Sequence, residues 1–180
     1  MIKVIQNEKI DWFISHIFPS KHLLALKPII AGGSMLSLYR ALRLHNTSEK
    51  WNSMTRSLSR SPKNAKIDSF GDIDIWFHSN HSIHKPDHEF HWLIGDASHQ
   101  TSFKTREFPG LTLGLDGFYR SSSWANSFRS TKKIPPIYKG EVQFIKTPID
   151  SIESLLSSFD FINCSVAFYD GKLYYDSRID

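Results

Sequence analysis

Acidic and apolar residues alternate from residue 72 to residue 77, which is typical of a β-strand with one buried face. Because side chains on a strand point alternately to opposite sides, Asp72 and Asp74 share one face, and Ile73, Ile75 and Phe77 share the other. The apolar face predicts that this strand lies in the core. Two carboxylates on one face repel each other unless a cation lies between them, so the strand also predicts a Mg²⁺ site.

Length and composition fit one domain over residues 1–180, large enough to hold a sizeable core. No apolar run approaches the length that spans a bilayer, and the first residues lack the features of a signal peptide. The single cysteine, Cys164, cannot form an internal disulfide. We therefore expect a cytoplasmic protein without a membrane partner. A net charge of +4 is compatible with a nucleotide or nucleic-acid partner.

Apolar periodicity and turn residues predict the remaining elements. In chain order they are a helix over 7–18, a strand over 28–31, a turn at Gly32 and Gly33, a helix with Ser34 as its N-cap, strands over 123–128 and 141–145, a helix starting at Thr147 and Pro148, and a hairpin over 165–175. Helices and strands alternate irregularly. This pattern predicts an α+β fold, a mixed β-sheet flanked by helices in a single domain.

Several other features have an ordinary interpretation beside a functional one. The serine-rich, basic segment at about 46–66 is interpreted as an exposed insertion, and the alternative is contact with a nucleic-acid backbone, to which Lys132 and Lys133 would add. Five histidines between residues 78 and 91 are interpreted as a polar loop rather than a metal site. Cys164 is expected in an apolar strand, and Trp92 and Trp124 are expected in the core.

The strand that ends in Gly-Gly-Ser, the helix after it and the Asp-x-Asp strand together resemble the DNA polymerase β-like nucleotidyltransferase superfamily. The resemblance implies that Gly33 and Ser34 hold the phosphates of a nucleotide, because glycine lets backbone N–H groups approach and the helix directs its positive end there. It implies that Asp72 and Asp74 bind metal. The implied reaction is attack by a hydroxyl on an α-phosphate, with pyrophosphate as the leaving group.

Later segments resemble a looser subgroup of that superfamily found in phages and large DNA viruses. The third carboxylate of the superfamily falls at Gln143, which contributes no charge to metal binding. Glu141, two residues earlier on the same strand face, and Asp160, after the following helix, are the candidates to replace it. Gly33 and Asp72 are also 39 positions apart, which exceeds the usual spacing, and the insertion lies between them.

Two hypotheses follow. The first is a Mg²⁺-dependent nucleotidyltransferase that moves a nucleotidyl group from a nucleoside triphosphate to an unknown hydroxyl acceptor on a nucleic acid or a protein. The alternative is a catalytically degenerate phage or viral protein that engages a host protein or nucleic acid. The expected catalytic residues are Asp72, Asp74, Glu141 and Asp160, the metal ligands are Asp72 and Asp74, and the nucleotide-binding residues are Gly32, Gly33, Ser34 and Gln143.

Overall fold

A mixed sheet forms the centre of the protein in the computed structural model, which describes residues 1–17, 21–44, 72–95, 117–130 and 141–180. Within these ranges the sheet has eight strands in the order β1-β8-β7-β2-β3-β6-β5-β4. The strands are β1 (Ile2–Gln6), β2 (Ile29–Ala31), β3 (Ile73–Trp76), β4 (Gly117–Ser121), β5 (Ala125–Ser130), β6 (Glu141–Ile145), β7 (Val166–Tyr169) and β8 (Lys172–Asp176). The β3–β6 pair is parallel, and the other pairs of neighbours in this order are antiparallel.

Helices cover both faces of the sheet. They are α1 (Glu8–Ile17), α2 (Lys21–Ala25), α3 (Gly33–Leu44) and α4 (Ile152–Ser158). Short 3-10 turns lie between β3 and β4 at Ser82–His84 and His91–Leu93, between α4 and β7 at Ile162–Cys164, and after β8 at Ser177–Ile179. One face packs its apolar residues, such as Ile75 and Phe144, with Phe13 and Leu38 of the helices. The other face packs Ile29, Ala31 and Ala167 with Ile152, Leu155 and Leu156 of α4. The predicted α+β class, mixed sheet and single domain are confirmed, and the nucleotidyltransferase-like fold stays a prediction.

The central strands follow the predicted alternation. Ile73 and Ile75 are fully buried, whereas Asp74 and Trp76 are only partly buried. The hairpin predicted over 165–175 is β7 and β8, with Asp170 and Gly171 as its turn in the left-handed region of φ. Each strand of this part of the sheet therefore carries its apolar residues toward a helix layer.

The last predicted helix begins later than Thr147 and Pro148. Its first residue is Ile152, and the hydroxyl of Ser151 accepts a hydrogen bond from the Ser154 amide at 3.0 Å, which caps it. Ile149 instead pairs with His78 beyond the end of β3. The prediction was wrong here because a tertiary pairing of the backbone outweighed the local helix signal of Thr-Pro.

Two single residues also differ from expectation. Trp124 lies in the tight turn between β4 and β5 and is 54% exposed, so it is not a core residue. Cys164 is half-buried in a 3-10 turn rather than in a strand. Trp92 is partly buried and packs against the core. Local apolar composition did not reveal that the chain turns at residues 124 and 164.

Two polar anchors fix the periphery of the sheet. The buried Asn126 amide donates to the carbonyls of Leu93 and Gly95 at 3.0 and 2.9 Å, which holds β5 against the turn that follows the histidines. Asp180 accepts hydrogen bonds from Lys3 at 2.6 Å, from Tyr39 and from Arg43. The Asp180 anchor joins β1, α3 and the turn after β8.

The predicted insertion at about 46–66 and the pair Lys132 and Lys133 lie outside the described residues. Of the helices in the described part of the chain, none is long and apolar enough to cross a membrane.

Candidate functional site

Strand directions bring the predicted site residues to one edge of the sheet. Because β2 is antiparallel to β3, the end of β2 lies beside the start of β3, and Ala31 pairs with Asp74. Because β6 is parallel to β3, its start lies at the same edge, and Asp74 pairs with Gln143. Residues that are directly paired on neighbouring strands share a face. The glycine turn after β2, the two aspartates of β3 and the first residues of β6 therefore surround one site.

The two aspartates differ in their surroundings. Asp72 is exposed, and its Oδ2 accepts a hydrogen bond from Nε2 of Gln143 at 3.3 Å. Asp74 is partly buried behind it. Gln143 therefore holds the Asp72 carboxylate by donating a hydrogen bond to it. It does so at the position where the resemblance implied a third carboxylate that binds metal.

Negative charge is concentrated around Asp74. Burial, together with the charges of Asp72 and Glu141, raises the pKa of Asp74 to about 7. Three acidic groups thus repel one another at the start of β3 and β6. A bound cation or a proton relieves this repulsion, so the cluster favours a positive partner.

The glycine turn lies directly against this cluster. Gly32 has a φ of +93°, and a Cβ atom built on it would lie 3.2 Å from Oδ2 of Asp74. Only glycine suits that conformation and that spacing at once. The carbonyl of Gly32 accepts hydrogen bonds from the amides of Met35 and Leu36, which starts α3. The turn therefore aims the first residues of the helix toward the aspartates.

Ser34 does not act as the predicted N-cap. It lies inside α3, whose first residue is Gly33, because the turn at Gly32 already starts the helical hydrogen bonds. The Ser34 side chain is fully buried, and across the described ranges its Oγ has no hydrogen-bond partner. A buried hydroxyl without a partner is costly, and this one lies at the start of α3, beside the glycine turn.

Glu141 and Asp160 were the candidates for the missing third carboxylate. Glu141 is close enough to Asp74 to act on its pKa. Asp160 is exposed in the turn after α4, and its role stays a prediction.

Ser127 is a site residue that the sequence did not indicate. It pairs with Gln143 across β5 and β6, and therefore shares the face of Asp74 and Gln143, where it is 7% exposed. The polar row Asp74, Gln143 and Ser127 thus runs across three strands. Alternation could not identify Ser127, because its neighbour Asn126 is also polar and points to the other face.

The donor set fits one hard cation better than two. Asp72 and Asp74 offer carboxylate oxygens, and Gln143 offers an amide oxygen, which are ligand types that Mg²⁺ accepts. Among the described residues no group of three His, Cys, Asp or Glu side chains is arranged to hold a metal ion. The remaining ligands of a cation here would therefore come from water or from a phosphate.

The clustered histidines serve mainly as hydrogen-bonding groups. His81 accepts from the amide of Ile83 at 3.0 Å, and its other ring nitrogen contacts the carbonyl of Leu26 at 2.8 Å. Burial lowers the pKa of His81, which favours the neutral ring. His84 and His91 likewise contact the backbone carbonyls of His78 and Ile83. These contacts agree with a polar loop that covers the end of the core.

Fold and site together define a mixed-sheet α+β protein with an acidic, glycine-flanked site at one sheet edge. The family model of the Gabija anti-defense 2 family protein matches residues 4–179. The chain therefore belongs to the Gabija anti-defense 2 family, a family of phage anti-defense proteins. No curated protein and no solved structure matches it.

Proposed function

We propose that this chain is a phage factor that counteracts the Gabija defence inside the host cell, in the cytoplasm, by engaging a host component. The family match over residues 4–179 carries this proposal. It agrees with the hypothesis of a phage protein that acts by binding. We propose that the protein acts through the acidic edge, the group formed by Gly32, Asp72, Asp74, Glu141 and Gln143. These residues lie together at one edge of the sheet, outside the apolar core.

The chemistry of that edge suits the phosphates of a nucleotide together with one Mg²⁺. Asp72 and Asp74 would hold the ion, which would offset the charge of the phosphates. The amides at the start of α3 and the Ser34 hydroxyl, which has no partner among the described residues, would donate hydrogen bonds to phosphate oxygens. Gln143 keeps Asp72 in place through its amide.

Calorimetry tests nucleotide binding directly. Each nucleoside triphosphate is titrated into the protein with and without Mg²⁺, and one of them is expected to bind only with the ion. The double variant Asp72→Asn, Asp74→Asn should abolish the Mg²⁺-dependent heat. Glu153→Gln, an exposed acid on α4, is the matched control and should bind as the natural chain does. Equal binding by the double variant and the control would overturn the nucleotide site.

Nucleotidyl transfer is the second candidate function, and the position of Glu141 favours it. The parallel pairing of β3 and β6 puts a third acid within electrostatic reach of Asp74. Asp72, Asp74 and Glu141 would then stabilise the reacting phosphate through a bound ion, with Asp160 as the other candidate acid. Incubation with α-phosphate-labelled nucleotides and host extract should label an acceptor. If calorimetry shows nucleotide binding but no acceptor is labelled, nucleotidyl transfer is excluded and only the binding function remains.

Infection assays connect the site with the anti-defense function. A phage that expresses the natural chain should form plaques on bacteria that carry the Gabija defence. The same phage with Asp72→Asn and Asp74→Asn should lose most plaques, provided that the variant chain accumulates equally. Full plaque formation by that variant would show that the acidic edge is not needed.

A further inference from the structure

A concave region lies at the opposite end of β7 from the glycine turn. The amide of Gly32 donates to the carbonyl of Val166 at 3.1 Å, so the start of β7 adjoins the acidic edge. The end of β7 leads into Asp170 and Gly171, which line a cleft of about 270 Å³. Four strand residues separate these two ends by roughly 13 Å. The cleft is therefore a separate site on the same sheet.

The floor of the cleft is apolar. Ile14 of α1, Leu24 of α2, Pro28 and Phe168 of β7 line it. Ile14 and Phe168 also belong to the main core, which makes the floor rigid. Its volume falls just below the range of typical small-molecule pockets, which starts at about 300 Å³, and suits a single long side chain.

The rim of the cleft carries one unbalanced negative charge. Lys27 and Asp170 form an ion pair at 3.4 Å, and both side chains are largely exposed. Asp11 lies beside them, with its Oδ1 3.4 Å from the point that a Cβ of Gly171 would occupy. In the part of the chain that the structure describes, the carboxylate of Asp11 has no hydrogen-bond or ion-pair partner.

We infer that this cleft receives an arginine side chain of a host protein. The apolar stem of the arginine lies along Ile14, Leu24 and Phe168, and its guanidinium meets the carboxylate of Asp11. Charge complementarity selects this occupant, because the cleft is acidic at its rim in a chain of net charge +4. The identification of the partner as a host protein rests on the proposed anti-defense function. The geometry of the cleft is independent of that proposal.

Nuclear magnetic resonance with a short peptide tests the cleft without knowing the partner. A capped Leu-Arg-Leu peptide should shift the amide signals of Ile14, Leu24 and Gly171, and a capped Leu-Gln-Leu peptide should bind about tenfold more weakly. Asp11→Asn should remove that difference, and Glu8→Gln, an exposed acid on the same helix, should keep it. Absence of shifts at the cleft, or equal binding of both peptides, would overturn the inference.

Two further measurements separate the possible sources of the cation. If arginine amide alone binds as tightly as the Leu-Arg-Leu peptide, the cleft is a site for a free cation and the docking inference fails. In infection, Asp11→Lys should reduce plaque formation on Gabija-carrying bacteria, whereas Glu8→Lys should not. Asp11→Lys should leave the Mg²⁺-dependent nucleotide heat unchanged, so a failure of the nucleotide site and a failure of the cleft give different results.

Discussion

At the scale of single residues, the acidic edge depends on a close fit between Gly32 and Asp74. The turn needs a residue whose φ is positive, which is the case for Gly32, and the Asp74 carboxylate occupies the space that a side chain at this position would need. The next residue, Gly33, lies in ordinary helical conformation, and a Cβ atom added to it would meet nothing within 4 Å. Two adjacent glycines thus have different roles, which the sequence Gly-Gly does not distinguish.

Substituting these two glycines by alanine should change stability by different amounts. Gly32→Ala forces a Cβ into the left-handed region and against Oδ2 of Asp74, and should lower the free energy of unfolding by roughly 1–2 kcal/mol. Gly33→Ala should change it by less than about 0.5 kcal/mol. Urea denaturation of both variants measures the difference. Equal losses would contradict the close approach of Gly32 to Asp74.

The raised pKa of Asp74 predicts a pH dependence of stability. The folded chain holds this proton up to a pH of about 7, whereas an ordinary aspartate has a pKa of 3.8. Between these values the folded state binds more protons than the unfolded state, so stability falls as pH rises, by up to about 1.4 kcal/mol per pH unit. Asp74→Asn lacks this fall and should be the more stable protein above pH 7, measured by urea denaturation in metal-free buffer.

The control for this measurement is Glu153→Gln, which removes an exposed acid on α4. Its stability should differ from that of the natural chain by a small and constant amount from pH 6 to pH 8, because an ionised acid in the first turn of a helix is modestly stabilising. Adding Mg²⁺ at pH 8 should stabilise the natural chain, because a cation offsets the charges around Asp74, and should have little effect on Asp74→Asn. A constant difference between Asp74→Asn and the natural chain from pH 4 to pH 8 would count against the assigned pKa.

At the scale of elements, α4 is a short helix held by its first turn. Ser151 and Ser154 exchange side-chain to backbone hydrogen bonds at 3.0 and 3.2 Å, and Ile152, Leu155 and Leu156 bury one side of the helix. This helix covers the sheet face that continues into the acidic edge. Its capping therefore supports the layer beside the site.

Loss of that cap should be measurable. Ser151→Ala removes the acceptor for the Ser154 amide and should cost about 1 kcal/mol of the free energy of unfolding. Ser157→Ala is the matched control on the same helix, because the Ser157 hydroxyl only donates to the carbonyl of Ser154 from an exposed position. Urea denaturation should separate the two variants, and similar midpoints would exclude the capping role.

Local patterns predicted the elements that their own residues define. Alternation at Asp72–Phe77 gave the buried face of β3, and Asp170-Gly171 gave the β7–β8 hairpin. The strands β1 and β4 were not predicted, because their backbone partners, β8 and β5, decide their pairing. For the site, the motif order indicated Gly32, Asp72, Asp74 and Gln143 at one edge, and the register of β5 that adds Ser127 was beyond a local pattern.

At the scale of the whole molecule, Asp180 ties together parts of the chain that are distant in sequence. Its carboxylate binds Lys3 of β1 and both Tyr39 and Arg43 of α3. Hydrogen bonds from Lys3 and Tyr39 hold the pKa of Asp180 well below its usual range. The anchor therefore needs the ionised carboxylate.

Asp180→Asn should lower the melting temperature at pH 7, because it removes the charge that these three side chains share. A group whose folded pKa is lowered stabilises the fold above its ordinary pKa and loses that effect as pH falls below it. The difference from the natural chain should therefore shrink below about pH 4. Asp87→Asn, an exposed acid in the histidine-rich segment, is the control and should melt as the natural chain does at both pH values.

The pairing of β1 with β8 also constrains how the chain folds during synthesis. Ile2 pairs with Asp176, and within the described sheet β8 is the neighbour of β1, so β1 forms its strand hydrogen bonds only after β8 has been made. Contacts this distant in sequence make folding slow. Until β8 has left the ribosome, the edge of β1 that pairs with it remains open, and chaperones that bind unpaired strands have time to act. The described sheet is therefore complete only after β8 has been made.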